Sequence, residues 1–119
     1  MELLGVHHVS LNVDDLAAAD HFYTAVLGFE PIARPDLGFP GSWLQAGPQE
    51  IHLLEFGAVP DDVGQHVAFR TNDLDAAIAH LRAAAVEVSD PRSLPTGARQ
   101  AFLRDPSGNL LELNEPAGS

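Results

Sequence analysis

The chain has 119 residues, 45% of them apolar, which suits one small domain or two modules sharing a core and does not suit a disordered chain. Its 17 acidic and 6 basic side chains give a formal net charge of −11, so a nucleic-acid partner would be repelled and no basic stripe offsets the repulsion. With no cysteine, disulfides, thiolate nucleophiles and cysteine-held zinc or iron–sulfur sites are excluded, and any metal must be held by imidazole and carboxylate.

Val9, Leu11 and Val13 alternate with polar residues, the period-two pattern of a strand. Asp14 or Asp15 then supplies a cap for a helix over 16–26, which Gly28 ends. Strands are expected near 28–33, 42–46 and 49–56, the last two joined around Gly47-Pro48. From His66 the order recurs: a strand, a cap at Asn72 or Asp73, a helix over 74–85, then strands near 86–88, 98–104 and 109–115. The stretch Asp105-Pro106-Ser107-Gly108-Asn109 joins the last two. The Pro/Gly-rich pieces at 34–41, 57–64 and 89–97 read as loops.

This is an internal repeat. His8-Val9-Ser10-Leu11-Asn12-Val13-Asp14-Asp15-Leu16 lies on His66-Val67-Ala68-Phe69-Arg70-Thr71-Asn72-Asp73-Leu74, and Glu50 to Glu55 lies on Leu110 to Glu115. The expected fold is α+β: two βαβββ modules forming a curved mixed sheet with a concave metal-binding cleft. Residues 1–119 are read as a single domain, with module one at about 5–56, a linker at about 57–64 and module two at about 65–115. No apolar run approaches the roughly 18–20 residues of a membrane span. The first eight residues carry neither the basic nor the apolar region of a leader, so a cytoplasmic location is expected.

Strand alternation assigns faces. The apolar members must lie under the amphipathic helices, which turns His8, Ser10, Asn12, His52, His66 and Glu112 to the opposite, concave side. Three histidines and a glutamate at repeat-related positions, His8, His52, His66 and Glu112, suggest one divalent metal: Zn, Ni, Co, Mn or Fe(II). Trp43 and Phe39 are read as an aromatic wall, and Arg70, on the face of His66, as the residue orienting a substrate anion. Ser10 and Asn12 line the same cleft. Phe22 and Tyr23 are read as core, and His7, His21 and His80 as structural, with His7 on the helix side.

His7-His8-Val9 with Asp15-Leu16, Phe22-Tyr23 with Leu27-Gly28-Phe29, and Asp105-Pro106-Ser107-Gly108-Asn109 leading to Leu111-Glu112-Leu113 together resemble the vicinal oxygen chelate superfamily. That group contains glyoxalase I, extradiol dioxygenases and the fosfomycin- and bleomycin-resistance proteins. The run from Arg34-Pro35 through Phe39-Pro40-Gly41-Ser42-Trp43-Leu44 to His52 is similar to small glyoxalase-like members. The resemblance implies metal ligands at His8, His66 and Glu112. It puts His52 where glyoxalase I has a carboxylate that both ligates and moves a proton, so Glu112 and His52 become the catalytic candidates. It implies a metal-dependent lyase or isomerase acting through an enolate-type intermediate on a small oxygen-chelating substrate. Its alternatives are an Fe(II) ring-cleaving dioxygenase and a non-catalytic protein that binds an antibiotic. It further implies a homodimer.

Overall fold

In the computed structural model, which describes residues 1–2, 4–57 and 64–118, each half of the chain builds its own four-stranded mixed sheet. Most of the expected linker, 58–63, lies outside the described residues. Two compact units result, Met1–Val59 and Pro60–Ser119. The first contains β1 (His8–Asn12), α1 (Leu16–His21) continued by a π-helical turn (Phe22–Val26), β2 (Glu30–Ile32), β3 (Gly41–Ala46) and β4 (Gln49–Leu54). The second contains β5 (Val67–Arg70), α2 (Leu74–Ala83), β6 (Arg92–Ser93), β7 (Arg99–Arg104) and β8 (Leu110–Glu115). Strand order is β1-β4-β3-β2 in one and β5-β8-β7-β6 in the other. In both sheets the first strand runs parallel to the last and the remaining pairs are antiparallel.

The repeat extends to how each helix starts. Ala18 N–H donates to Asp15 Oδ1 at 3.0 Å, and Ala76 N–H donates to Asp73 Oδ1 at 3.0 Å. A second carboxylate arrives from the strand at the end of each module: Leu16 N–H donates to Glu55 Oε2 and Leu74 N–H to Glu115 Oε2, both at 2.7 Å. First-turn amides have no acceptor inside the helix, and an anion beside them also meets the positive end of the helix dipole. Side-chain caps of this kind are each worth about 1 kcal/mol.

The helix ends differ. The first widens into its π turn, where Leu27 N–H reaches back to Phe22 O at 2.9 Å, and Gly28 leaves it at φ +84°. The second stops at Ala83, two residues before the expected end, and Val86 N–H closes on Leu81 O at 3.0 Å. The left-handed position there is filled by Ala85 at φ 60°, although a Cβ in that conformation costs roughly 1–2 kcal/mol.

The sixth strand also sits away from its expected place. Val88 makes only a single bridge to Leu103, and the paired residues are Arg92–Ser93, inside the stretch 89–97 expected to be loop. Pro91 and Pro95 give that stretch its loop-like composition, but the two residues after Pro91 remain free to pair at a sheet edge. A turn through Thr96-Gly97, closed by Leu94 N–H to Ala98 O at 2.8 Å, returns the chain to β7.

Each sheet packs its helix over one face. Val13, Phe22, Tyr23, Leu44, Ile51 and Leu53 are buried in the first unit, and Leu74, Ile78, Leu81, Leu103, Leu111 and Leu113 in the second. Full burial of one such side chain stabilises by roughly 1.5–3 kcal/mol, so these faces fix the register and force the alternate residues to the other side.

Candidate functional site

In the first unit the polar side of the sheet is a stack of rings. His52 of β4 lies opposite Trp43 of β3, with ring centroids 4.4 Å apart and planes 9° from parallel. His8, at the start of β1, covers the other side of His52 at 4.0 Å and 16°. The stack leaves His52 only 7% exposed although it points away from the apolar core. Its Nε2 is 2.9 Å from Oε1 of Glu50, two residues earlier on the same strand and so on the same face. That hydrogen bond is the main influence holding the Glu50 carboxyl below its usual range; partial burial opposes it, and His7, His52 and His8 add smaller favourable charge effects.

The second unit presents a charge and its donors instead. Glu112 of β8, 6% exposed, receives Asn114 Nδ2–H on Oε2 at 2.9 Å, and its Oε1 is 3.1 Å from Nε2 of His66. His66 Nδ1 is 3.0 Å from Gly64 O, a carbonyl that can only accept, so this contact places a proton on Nδ1. Phe102, opposite Glu112 on β7, meets the His66 ring edge-on at 5.9 Å. Phe102 also borders a cavity of about 920 Å³ running along Val86, Val88 and Leu110 to Arg82 and Arg104.

These positions can be tested for fit to a divalent metal. Two ligands bound at about 2.1 Å and at right angles to one another are about 3 Å apart. The 3.1 Å between His66 Nε2 and Glu112 Oε1 matches that spacing, and the Gly64 carbonyl supplies the backing that orients a ligating imidazole. His8 and His52 fit differently. Their ring centroids are 4.0 Å apart with planes 16° from parallel, whereas an imidazole binds a metal in its own plane. His8 Nδ1 faces His7 Nδ1 at 2.9 Å, leaving Nε2 as its free nitrogen. Within neither unit are three His, Asp or Glu side chains of the described residues gathered as metal ligands.

The other expected residues are distributed as follows. Ser10 is the strand neighbour of His52, Asn12 that of Leu54, and Arg70 that of Asn114; all three are exposed. Phe39 lies against Phe56, with ring centroids 4.8 Å apart and planes tilted by 38°, and the Arg34 guanidinium is 4.9 Å over its ring. His7 is exposed and bonded to its neighbour, not placed beneath the helix, because β1 begins only at His8 and alternation does not reach back to it. Phe22 and Tyr23 are core, at 5% and 0% exposure. Sequence reasoning missed Glu50, Asn114 and Phe102. The first two lie two residues from His52 and Glu112 in the sequence, and that spacing alone points to the same face.

Residues 5–113 match the family model described as the glyoxalase/bleomycin resistance protein/dioxygenase superfamily. A protein named YaeR from Escherichia coli (strain K12) is 33% identical over 92% of this chain and 95% of its own length. A 2-epi-5-epi-valiolone epimerase from an Actinomyces species is 32% identical over 98% of this chain and 82% of its own. The crystal structure of TnmS3, an antibiotic binding protein from Streptomyces sp. CB03234, superposes with a TM-score of 0.84 at 29% identity, covering 98% of this chain and 99% of that one.

Proposed function

Because the chain belongs to the glyoxalase/bleomycin resistance protein/dioxygenase superfamily, we propose that it is a divalent-metal-dependent lyase or isomerase acting on a small substrate that offers adjacent oxygens. The observation that carries this reading is the His66–Glu112 pair, spaced at 3.1 Å like neighbouring ligands and backed by Gly64 O and Asn114 Nδ2. His8, His66 and Glu112 are the ligands in this proposal. The metal, when bound, supplies Lewis acidity beside the developing negative charge, worth several kcal/mol of barrier.

The chain's own groups then do the proton work. Glu112, with Oε2 held by Asn114 Nδ2–H and Oε1 beside His66, is the group proposed to accept a proton from a carbon next to a carbonyl. His52, held between His8 and Trp43 with Nε2 on Glu50, is the second group proposed to move a proton. Ser10, Asn12 and Arg70 line the polar faces and orient the ligand. Among the described residues no helix is long and apolar enough to cross a membrane. Cytoplasmic residence and a homodimeric state complete the proposal.

A second reading, tight binding without turnover, is favoured by the His8–His52–Trp43 stack, which offers a flat aromatic surface, and by the likeness to an antibiotic-binding protein. The deciding experiment is elemental analysis of protein purified without chelator, followed by substrate screening in D₂O with an oxygen electrode. One equivalent of a divalent metal and solvent deuterium at the carbon beside a carbonyl, without O₂ uptake, are expected. O₂ consumption with catechols would establish the dioxygenase alternative. A folded protein that takes up no metal under any reconstitution leaves only the binding reading.

A further inference from the structure

Among the described residues the Glu50 side chain has one hydrogen-bonding partner, His52. Oε1 lies 2.9 Å from His52 Nε2, and the two side chains are 9% exposed for the histidine and 24% for the glutamate. No arginine among the described residues pairs with this carboxylate. Gln45, opposite Glu50 on β3, directs its amide hydrogens to Gly47 O and Gln49 O instead. Nor does the fold require an acid at this position, since the repeat puts Leu110 there in the second module. What accounts for Glu50 is its contact with the ring two residues on.

The rings of His8 and Trp43, 4.0 and 4.4 Å from that of His52, hold its plane. They do not choose between its edges, because a half-turn about the Cβ–Cγ bond keeps the plane and puts the carbon Cε1 where Nε2 was. The carboxylate makes that choice. Glutamate is ionised at neutral pH and its oxygens then only accept. The 2.9 Å contact therefore requires a proton on Nε2, which disfavours the half-turn and leaves the neutral ring's lone pair on Nδ1. Nδ1 has no hydrogen-bond partner. The one partnerless side-chain nitrogen closed to solvent among the described residues is Arg34 Nε, so His52 Nδ1 is open to solvent.

We propose that Glu50 is a positioning residue: it fixes His52 as the Nε2–H tautomer, so that the ring offers the Nδ1 lone pair to the polar face. The assignment of the tautomer stands on the geometry of one module, and the role in turnover rests on the lyase or isomerase reading above. A proton taken from substrate arrives on Nδ1 while Nε2 keeps its own, and Glu50 stays a carboxylate throughout. Its negative charge behind the ring stabilises the imidazolium formed in that step.

Long-range ¹H–¹⁵N spectra of the metal-free protein, taken where imidazole is neutral, test the tautomer without substrate or metal. His52 should show Nε2 at the protonated shift and Nδ1 at the unprotonated one, a bias of about tenfold or more, as a hydrogen bond to a charged group gives. In Glu50→Val, which keeps a strand-forming residue there, the two shifts should move toward each other. Glu50→Gln, which retains a neutral acceptor, should fall between, and it decides the matter if the valine variant fails to fold. Turnover in Glu50→Val should drop about 10- to 100-fold. A parent His52 protonated on Nδ1 or evenly mixed overturns the proposal, as does a spectrum or a rate that Glu50→Val leaves unchanged. The expected spectra in a protein that takes up no metal and turns nothing over would sink the lyase or isomerase reading and leave the tautomer assignment standing.

Discussion

The two modules share one strand order and disagree about what to put on its polar face. Both start their helices with an aspartate and a returning glutamate, at distances equal to within 0.1 Å. Yet the first covers its face with stacked rings around His52, and the second with a carboxylate fed by two donors around Glu112. Groups that close the fold are held by the apolar register and the helix ends, which any copy must satisfy. The polar face answers to no such demand and is where two copies can specialise. One half thereby presents rings and the other presents charge.

The sharpest way to break that division is to remove its central residue from each half. If Glu112 is the ligand proposed above, Glu112→Ala should abolish stoichiometric metal and lower turnover by more than about 100-fold, beyond the range of supporting residues. His52→Ala should keep most of the metal and lower turnover only about 10- to 100-fold. Elemental analysis beside steady-state rates separates the two, and equal metal loss in both would put His52 among the ligands.

The strand connections differ as well. In the second module buried Asp105 accepts from Ser107 N–H at 2.9 Å, Asn109 N–H at 2.8 Å and Asn109 Nδ2–H at 2.8 Å, whereas the first module turns at Gly47-Pro48. Asp105→Ala strands those donors and should cost about 2–4 kcal/mol in urea unfolding. Pro48→Ala, in an exposed turn, should change stability by less than about 0.5 kcal/mol.

The helix exits give a gain instead of a loss. Ala85→Gly, which gives the second helix the residue the first already has at Gly28, should raise stability by about 0.5–1 kcal/mol after the added freedom of the unfolded chain is subtracted.

The smallest effect concerns the ion pair of Arg99 with Asp75, at 2.9 Å on α2. The hydrogen bond from Arg99 lowers the Asp75 carboxyl below its usual 3.8. A depressed acid contributes stability above its unfolded pKa and loses it as pH falls through the folded one. Asp75→Asn should therefore be slightly less stable than the parent near neutrality and equal to it once the pH has fallen through the lowered folded-state pKa. Thermal melts across that window check it; a difference that grows toward acid would reverse the sign.

Much of this was readable from residue order because strand alternation and helix caps are local rules. Val9 and Leu11, and Val67 and Phe69, take the same side in both modules, and Asp15 and Asp73 cap where expected. What escaped depends on atoms far apart in sequence. The stacking of His8 on His52 needs β1 beside β4, and the contact of Phe39 with Phe56 needs a residue that arrives after β4. The displaced sixth strand turned on two prolines whose composition says loop while their spacing leaves room to pair.

The returning glutamates tie each module's beginning to its end. Glu55 is 39 residues from the amide it caps and Glu115 is 41 from its own. The first turn of each helix is thus completed only when the last strand has docked, which couples a local event to the longest-range contact in the module. A fragment cut anywhere between cap and strand would lose its helix start together with its sheet. Such a segment is inherited whole or not at all, which is the property a stretch of chain needs if duplicating it is to yield a second working copy.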